Sequence, residues 1–462
     1  MENLRTSQLE DLLRLRSPQT AAELAGALGI SQPTLSRLIA SSDRVVRIGN
    51  ARAARYVLSR EIARAGHLWP LYRIDAYGQA ETLGELRALH GDEFHFQPAQ
   101  ALPAFLRGDF ANGQFLNGLF PGLPWFLDDQ RPQGFLGRTF ARRVAADIGA
   151  SGDLTRWRSD DVVLALLRYG DDQPGDLVLG ESALQNALQK ALAPEDAMPV
   201  NEREARYPPL AEAVLRGENI GSSAGGEQPK FLATLRGDDG FQPVIVKFSE
   251  RGETPAARRW ADLLRCEQIA GAVLRAHGQP AALGEIVEAD GRTFLQSTRF
   301  DRTSVLGRRG FVSLAALDAA FYGHGRIDWW RFAPQLQRDG WIDTENAQRL
   351  RVLGWFGALI ANNDMHLGNA ALALTDDRPL ALAPAYDMLP MHFRPAASGE
   401  IVPREYAVTL PTPEFRENWR VAATLALAFW RQVADNPAIS EAFRRIAEGA
   451  SASLGHAVAR QR

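Results

Sequence analysis

Asp364 and Asn369 stand five positions apart in the run Ala361-Asn362-Asn363-Asp364-Met365-His366-Leu367-Gly368-Asn369. At that spacing a carboxylate can take the proton of an attacking hydroxyl while an amide oxygen holds a magnesium ion, the division of labour in phosphoryl transfer. A second acid, Asp387 in Ala385-Tyr386-Asp387-Met388, follows at a distance that returns it to the same ion. An amide and a carboxylate suit the preference of magnesium for oxygen ligands. Upstream, Lys247 is the lone charge in the apolar stretch Val244-Ile245-Val246-Lys247-Phe248. An ammonium there is costly unless paired, and Glu267, on a helix expected over 255–276, is the partner on offer. Each piece has an ordinary alternative. Asn, Asp and Gly are turn residues, and a strand-edge lysine can reach water. The order lysine, base, metal ligands is what sets the combination apart.

The elements that must position these groups are legible around them. Val352 to Ile360 read as a buried helix delivering the loop at 362–369, where His366 either packs on phosphates or holds the loop. Segments 370–374 and 379–383 read as a hairpin that brings Asp387 back beside Asn369. Before the Lys247 strand come a strand at 231–235 and a turn at 237–240, and before those the run Gly221-Ser222-Ser223-Ala224-Gly225-Gly226-Glu227-Gln228-Pro229-Lys230. Glycines let backbone N–H groups face phosphates. This run is no Walker A loop, because Glu227 stands where its lysine belongs, and it lacks G-x-G-x-x-G. Taken alone it reads as a hairpin turn. After the strand at 294–298, Thr298, Arg299 and Phe300 are the candidates to read a nucleobase edge through backbone groups.

The chain has 462 residues, 45% of them hydrophobic, with 26 Pro and 40 Gly, which is room for several globular domains. It has no apolar run of the length that spans a bilayer, no apolar stretch in its first residues, and one cysteine, Cys266. These point to a cytoplasmic protein without a membrane partner. Net charge is −3, yet residues 1–60 carry nine arginines against five acids. A basic head on an acidic body needs a reason.

That head reads as three helices and a hairpin. Residues 4–15 form a helix with Leu4, Leu9, Leu12, Leu13 and Leu15 as its apolar positions. Thr20 with Glu23 makes a capping box, Gly29 ends the second helix, and Ser31 caps the third, Gln32 to Ile39. Strands at 45–48 and 55–58 flank Gly49-Asn50. This is a winged helix-turn-helix pattern. Gln32, Thr34, Ser36 and Arg37 face outward for the major groove of double-stranded DNA, and Arg44, Arg47, Arg52 and Arg55 supply charge for its phosphates. A small helical docking domain with a solvated polar face is the plainer reading. Residues 68–200 say less. A strand and turn at 73–78, a strand at 92–96, a packed aromatic loop at 121–127 and a structural His95 suggest an α+β support domain. Residues 195–209, charged and with three prolines, read as a link to the next domain.

Taken together, Ser222 to Lys230, Lys247, Arg299-Phe300-Asp301-Arg302, Asn363 to Asn369 and Tyr386-Asp387 resemble the HipA-like serine/threonine kinases of bacterial toxin–antitoxin systems. The branch most similar is the YjjJ-type, which carries its own helix-turn-helix. The resemblance implies an α+β chain in four parts: a winged helix-turn-helix (1–62), an α+β subdomain (63–205), a kinase N-lobe (206–300) and a helical C-lobe (301–462). It implies a Mg-ATP-dependent protein kinase acting on serine or threonine. Gly225, Gly226, Glu227, Gln228, Pro229 and Lys230 would touch ATP phosphates, with Tyr386 also at the nucleotide, and Ser223 or Ser222 would be autophosphorylated. An antitoxin protein is a further implied partner. Two other readings stand beside it: a DNA-binding regulator whose kinase fold only senses nucleotide, and a small-molecule phosphotransferase.

Overall fold

The computed structural model describes residues 2–49, 54–100, 103, 105–106, 113, 115–216, 228–396 and 398–461. The chain begins with α1 (Glu2–Leu15), α2 (Ala21–Leu28) and α3 (Gln32–Ser41), followed by an antiparallel pair, β1 (Val45–Ile48) and β2 (Arg55–Leu58). Thr20 accepts from the Glu23 N–H, and Glu23 reaches back to the Thr20 N–H at 2.7 Å. Gly29 closes α2 in the left-handed region, at φ 63°. Leu9 and Leu13 of α1 meet Leu24, Leu35, Leu38 and Leu58 in a small core. Leu4 and Leu15 were expected on that stripe but are 65% and 82% exposed. A helix packed on one side buries one i, i+4 row, and neither residue lies on it. Ser31 makes no side-chain cap to α3; its hydroxyl pairs with that of Thr34 at 2.9 Å.

A five-stranded sheet follows, in the order β6-β5-β4-β3-β7. Its strands are β3 (Leu68–Ile74), β4 (Ala80–Ala88), β5 (Phe94–Pro98), β6 (Leu119–Phe120) and β7 (Leu177–Leu179), with α4 (Gly134–Ile148), α5 (Ser159–Tyr169) and α6 (Glu181–Leu192) against it. His95 on β5 is a buried structural histidine. Burial pushes its pKa down to about 4, and its ring meets the Asn117 carbonyl at 3.2 Å. The basic head is seated on this sheet: Ser59 bridges Leu89, and His90 donates its N–H to the Leu58 carbonyl at 2.9 Å.

Residues 195–209 are not a link. They hold β8 (Met198–Pro199), paired in parallel with β9 (Lys230–Gly237), and the start of α7 (Arg203–Leu215). Pro208 and Pro209 lie inside α7. The helix persists because Tyr207, Ala211 and Val214 bury against Phe231 and Phe294, and packing of that extent outweighs propensity. The second sheet runs β11-β12-β10-β9-β8, adding β10 (Gly240–Phe248), β11 (Gly284–Ala289) and β12 (Arg292–Thr298), with α8 (Pro255–Ala276) between β10 and β11. Thr254 caps α8, accepting from the Ala257 N–H at 3.1 Å.

The remainder is mainly helical: β13 (Phe311–Ser313), the short α9 (Leu314–Leu317), α10 (Trp329–Arg338), α11 (Thr344–Leu359), β14 (Ala371–Ala373), α12 (Arg416–Asp435) and α13 (Glu441–Arg460). The hairpin expected at 370–383 is partial. The Ala373 N–H donates to the Ala381 carbonyl at 2.8 Å, but the main partner of β14 is β13. One hydrophobic core runs from the first five-stranded sheet through α8 to α11, α12 and α13. Among the described residues no helix is long and apolar enough to cross a membrane.

Candidate active site

Lys247 sits at the centre of the second sheet, opposite Leu295 on one side and Lys230 on the other. Residues directly opposite in a ladder point to the same face, so two ammonium groups share that face. Such a pair is unfavourable alone. Two carboxylates answer it. Glu267 of α8 takes Lys247 Nζ in a fork, at 2.6 and 2.8 Å, and Asp387 Oδ1 accepts from the same Nζ. Burial works against charge on Lys247, and Asp387 and Glu267 more than compensate, holding the ammonium above the usual lysine range. Burial alone would raise the Asp387 carboxyl, but Lys247 and Lys230 bring it down to about 2.

The loop with Asp364 is tied to this cluster by a continuous chain of hydrogen bonds. Asn362 donates from Nδ2 to the Asp387 carbonyl at 3.0 Å. Its Oδ1 accepts the Asp364 N–H at 3.0 Å. Asn369 donates from Nδ2 to the Asp364 carbonyl at 2.8 Å, which turns its amide oxygen to the other side. The Tyr386 hydroxyl donates to the Gly368 carbonyl at 2.8 Å. His366 Nδ1 accepts the Gly368 N–H at 3.1 Å, so the ring holds the loop. Asp387 has φ 55° and Ala361, at the end of α11, φ 59°. Left-handed conformations cost a residue with a Cβ on the order of 1 kcal/mol, and such strain collects where function fixes geometry.

The structure thus brings together Lys230, Lys247, Glu267, Asp364, His366, Asn369, Tyr386 and Asp387. Other candidates are placed differently. Gly225, Gly226, Glu227, Ser222, Ser223 and Arg52 lie outside the described residues. Gln228 and Pro229 lead directly into β9. The Thr298 N–H is used by the Leu283 carbonyl at 2.9 Å and the Arg299 N–H by the Pro243 carbonyl at 3.0 Å, so neither is open to a base edge. The Arg299 side chain is buried in an ion cluster with Asp301 and Asp172. Phe300 does face the site, stacked on Tyr386 with centroids 5.7 Å apart. In the head, Gln32, Ser36, Arg37, Arg47 and Arg55 are exposed and Thr34 is half-buried. Arg44 departs from the expected role: its guanidinium binds Glu10 at 3.1 Å and leans on the Ser59 carbonyl.

Two features were not foreseen. Asn362 carries the link between Asp364 and Asp387, and its position two residues before the acid was the available sign. A groove of about 830 Å³ opens beside Asp364, lined by Trp330, Trp355, Met365, Thr409 and Leu410 among others. No spacing rule announces it, because its sides lie up to 87 residues apart, from Gly325 to Thr412.

The YjjJ-like toxin middle-domain family matches residues 65–188, and the HipA-like C-terminal domain family matches residues 222–454. The chain is 37% identical over 443 residues to the toxin YjjJ of Escherichia coli strain K12, covering 96% of both chains. It belongs to the HipA-like toxin family. The solved complex of Shewanella oneidensis MR-1 HipA with HipB and its operator DNA contains a similar fold, with a TM-score of 0.52 at 16% identity over 84% of this chain and 97% of that one. The Helicobacter pylori proinflammatory kinase CtkA gives a TM-score of 0.36 at 11% identity, over 52% and 92% of the two chains. This member of the HipA-like family has a mixed α+β architecture whose fold is similar to that of the solved HipA.

Proposed function

We propose that the chain is an ATP- and magnesium-dependent serine/threonine protein kinase that acts in the cytoplasm, with a winged helix-turn-helix at residues 1–62 that binds DNA. The observation that carries it is the hydrogen-bond chain joining the Lys247–Glu267–Asp387 cluster to Asp364 and Asn369. Oxygen ligands suit magnesium, and the donors fit it: the Asp387 carboxylate and the Asn369 amide oxygen, whose amide nitrogen is already committed. The metal, when bound, neutralises charge on the nucleotide's phosphates. Lys247 and Lys230 add positive charge on the same side. Asp364, at the rim of the groove, accepts the proton of the substrate hydroxyl, and the groove receives the protein segment that bears it.

In this reading Ser223 or Ser222 accepts phosphate in the Gly-rich loop. The phosphate's charge of roughly −1.5 to −2 would oppose nucleotide at the same place. The exposed Gln32, Ser36, Arg37, Arg47 and Arg55 contact DNA, and an antitoxin protein is a further partner. The solved HipA was captured with HipB and operator DNA, which supports both partners by likeness of fold. Incubation with γ-labelled ATP tests the proposal. Label should appear on serine of the wild type and be lost in Asp364→Ala. Nucleotide binding without transfer would favour a nucleotide-sensing regulator, and transfer to small molecules alone would make the chain a different phosphotransferase.

A further inference from the structure

The segment joining the second sheet to the helical region, Thr298 to Gly310, is clasped by the middle domain through buried charge. Arg299 donates from Nε and Nη2 to Asp301 at 3.0 and 2.8 Å. Arg302 donates from Nη1 to Asp301 Oδ2 at 2.6 Å. One carboxylate cannot answer two buried guanidinium groups. Asp172 of the middle domain completes the set, accepting from Arg299 Nη1 and Arg302 Nη2, each at 2.9 Å. The middle domain adds backbone contacts. The Gly175 N–H donates to Asp301 Oδ2 at 3.0 Å, and the Gly175 and Gln173 carbonyls accept from Arg302 at 3.0 and 2.8 Å. Further along, the Arg308 N–H donates to the Asp75 carbonyl at 2.7 Å. Gly307 lies so close that a Cβ there would come within 2.2 Å of the Ala76 carbonyl oxygen.

Between the two clamped residues Arg299 and Asp301 stands Phe300. Its ring is stacked on Tyr386 and set edge-on to Phe311 at 5.4 Å. Tyr386 immediately precedes Asp387. A run of contacts therefore leads from Asp172 through Arg299 and Arg302 to Phe300, Tyr386 and the proposed nucleotide side of the site. We infer that Asp172 is a positioning residue for nucleotide binding, and that the middle domain sets the geometry of the ATP site from outside the kinase lobes. This rests on the kinase reading above and extends it to a residue with no part in the chemistry.

The test is phosphotransfer kinetics against ATP concentration in the full chain. Asp172→Ala should raise KM for ATP about tenfold with kcat within about twofold, since misplacement of a binding wall weakens binding before it alters the reacting groups. Asp172→Glu, which restores the charge, should return KM to within about threefold of wild type. Asp172→Asn keeps the shape and loses the charge, so it should raise KM in a chain that folds. Asp160→Asn breaks a comparable pair, with Arg60 at 2.5 Å, on the face toward the N-terminal head, and should change neither constant. Equal KM in wild type, Asp172→Ala and Asp172→Asn would overturn the inference and leave the kinase reading intact. Failure of Asp172→Glu to rescue would overturn it too, by reducing Asp172 to a support of the fold. A wild type that transfers no phosphate would overturn both.

Discussion

At the scale of single residues, the site is a balance of charges with little slack. Lys247 is 5% exposed and shared by two carboxylates. Replacing it by alanine takes away the cation that Glu267 and Asp387 share and leaves only Lys230 nearby, and removal of one partner from a buried pair costs about 3–5 kcal/mol. Lys247→Ala should therefore lower the denaturant midpoint as well as abolish phosphotransfer. Lys247→Ala with Glu267→Gln should recover part of the stability and none of the activity. Asp129 offers a second test. Burial pushes its carboxyl up to about 6, against the pull of the Ser313 N–H at 2.6 Å. A carboxyl with a raised pKa in the fold contributes stability that is present below its unfolded value of about 3.9 and is lost as pH rises through its folded one. Asp129→Asn keeps an acceptor for Ser313 and cannot ionise. Thermal melts of the pair should differ least near pH 4, separate as pH rises to about 6 and keep that separation above it, with the variant the more stable. An unchanged difference across that range would contradict a buried, neutral Asp129.

At the scale of elements, what could be read in the sequence was what local chemistry controls. The helix expected over 255–276 is present, and the capping box was legible from Thr20 and Glu23, because caps and periodicity act within a few residues. The helix that starts within 195–209 was not, since it survives its prolines through the burial of Tyr207, Ala211 and Val214 against aromatic neighbours from distant strands. The Arg299 backbone was expected at a base edge, but its N–H pairs with the Pro243 carbonyl of a distant strand. Arg44 was expected on phosphates, and an arginine's type does not say whether an acid such as Glu10 will arrive from far along the chain. That difference is measurable in the head. Arg37→Ala and Arg47→Ala should each reduce the salt dependence of DNA binding by about one ion. Arg44→Ala should leave that slope alone and lower the melting temperature, because it breaks the bond to Glu10 and the contact with Ser59. Thr20→Ala should destabilise the head by about 1 kcal/mol through loss of the cap.

At the scale of the whole molecule, the basic head, proposed to bind DNA, and the proposed kinase are joined through the middle domain by a packed junction. Ile48 and Val57 bury against Leu89, with Leu119 beside them. Deleting residues 1–62 should expose this apolar surface, lower the melting temperature of the remainder and abolish DNA binding. If the head also restrains the kinase, the truncated chain will phosphorylate faster per folded molecule, and equal rates would remove that role. The middle domain is the common support, bearing the head on one edge and gripping the Thr298 to Gly310 segment through Asp172.

The proposal that one magnesium–nucleotide unites Lys247, Glu267, Asp387 and Asn369 is tested most directly by titrating a non-hydrolysable ATP analogue with and without magnesium. The wild type should bind at least about tenfold more tightly with the metal, and Asp387→Asn should lose that gain. An equal magnesium effect in both chains, or none in the wild type, would contradict it.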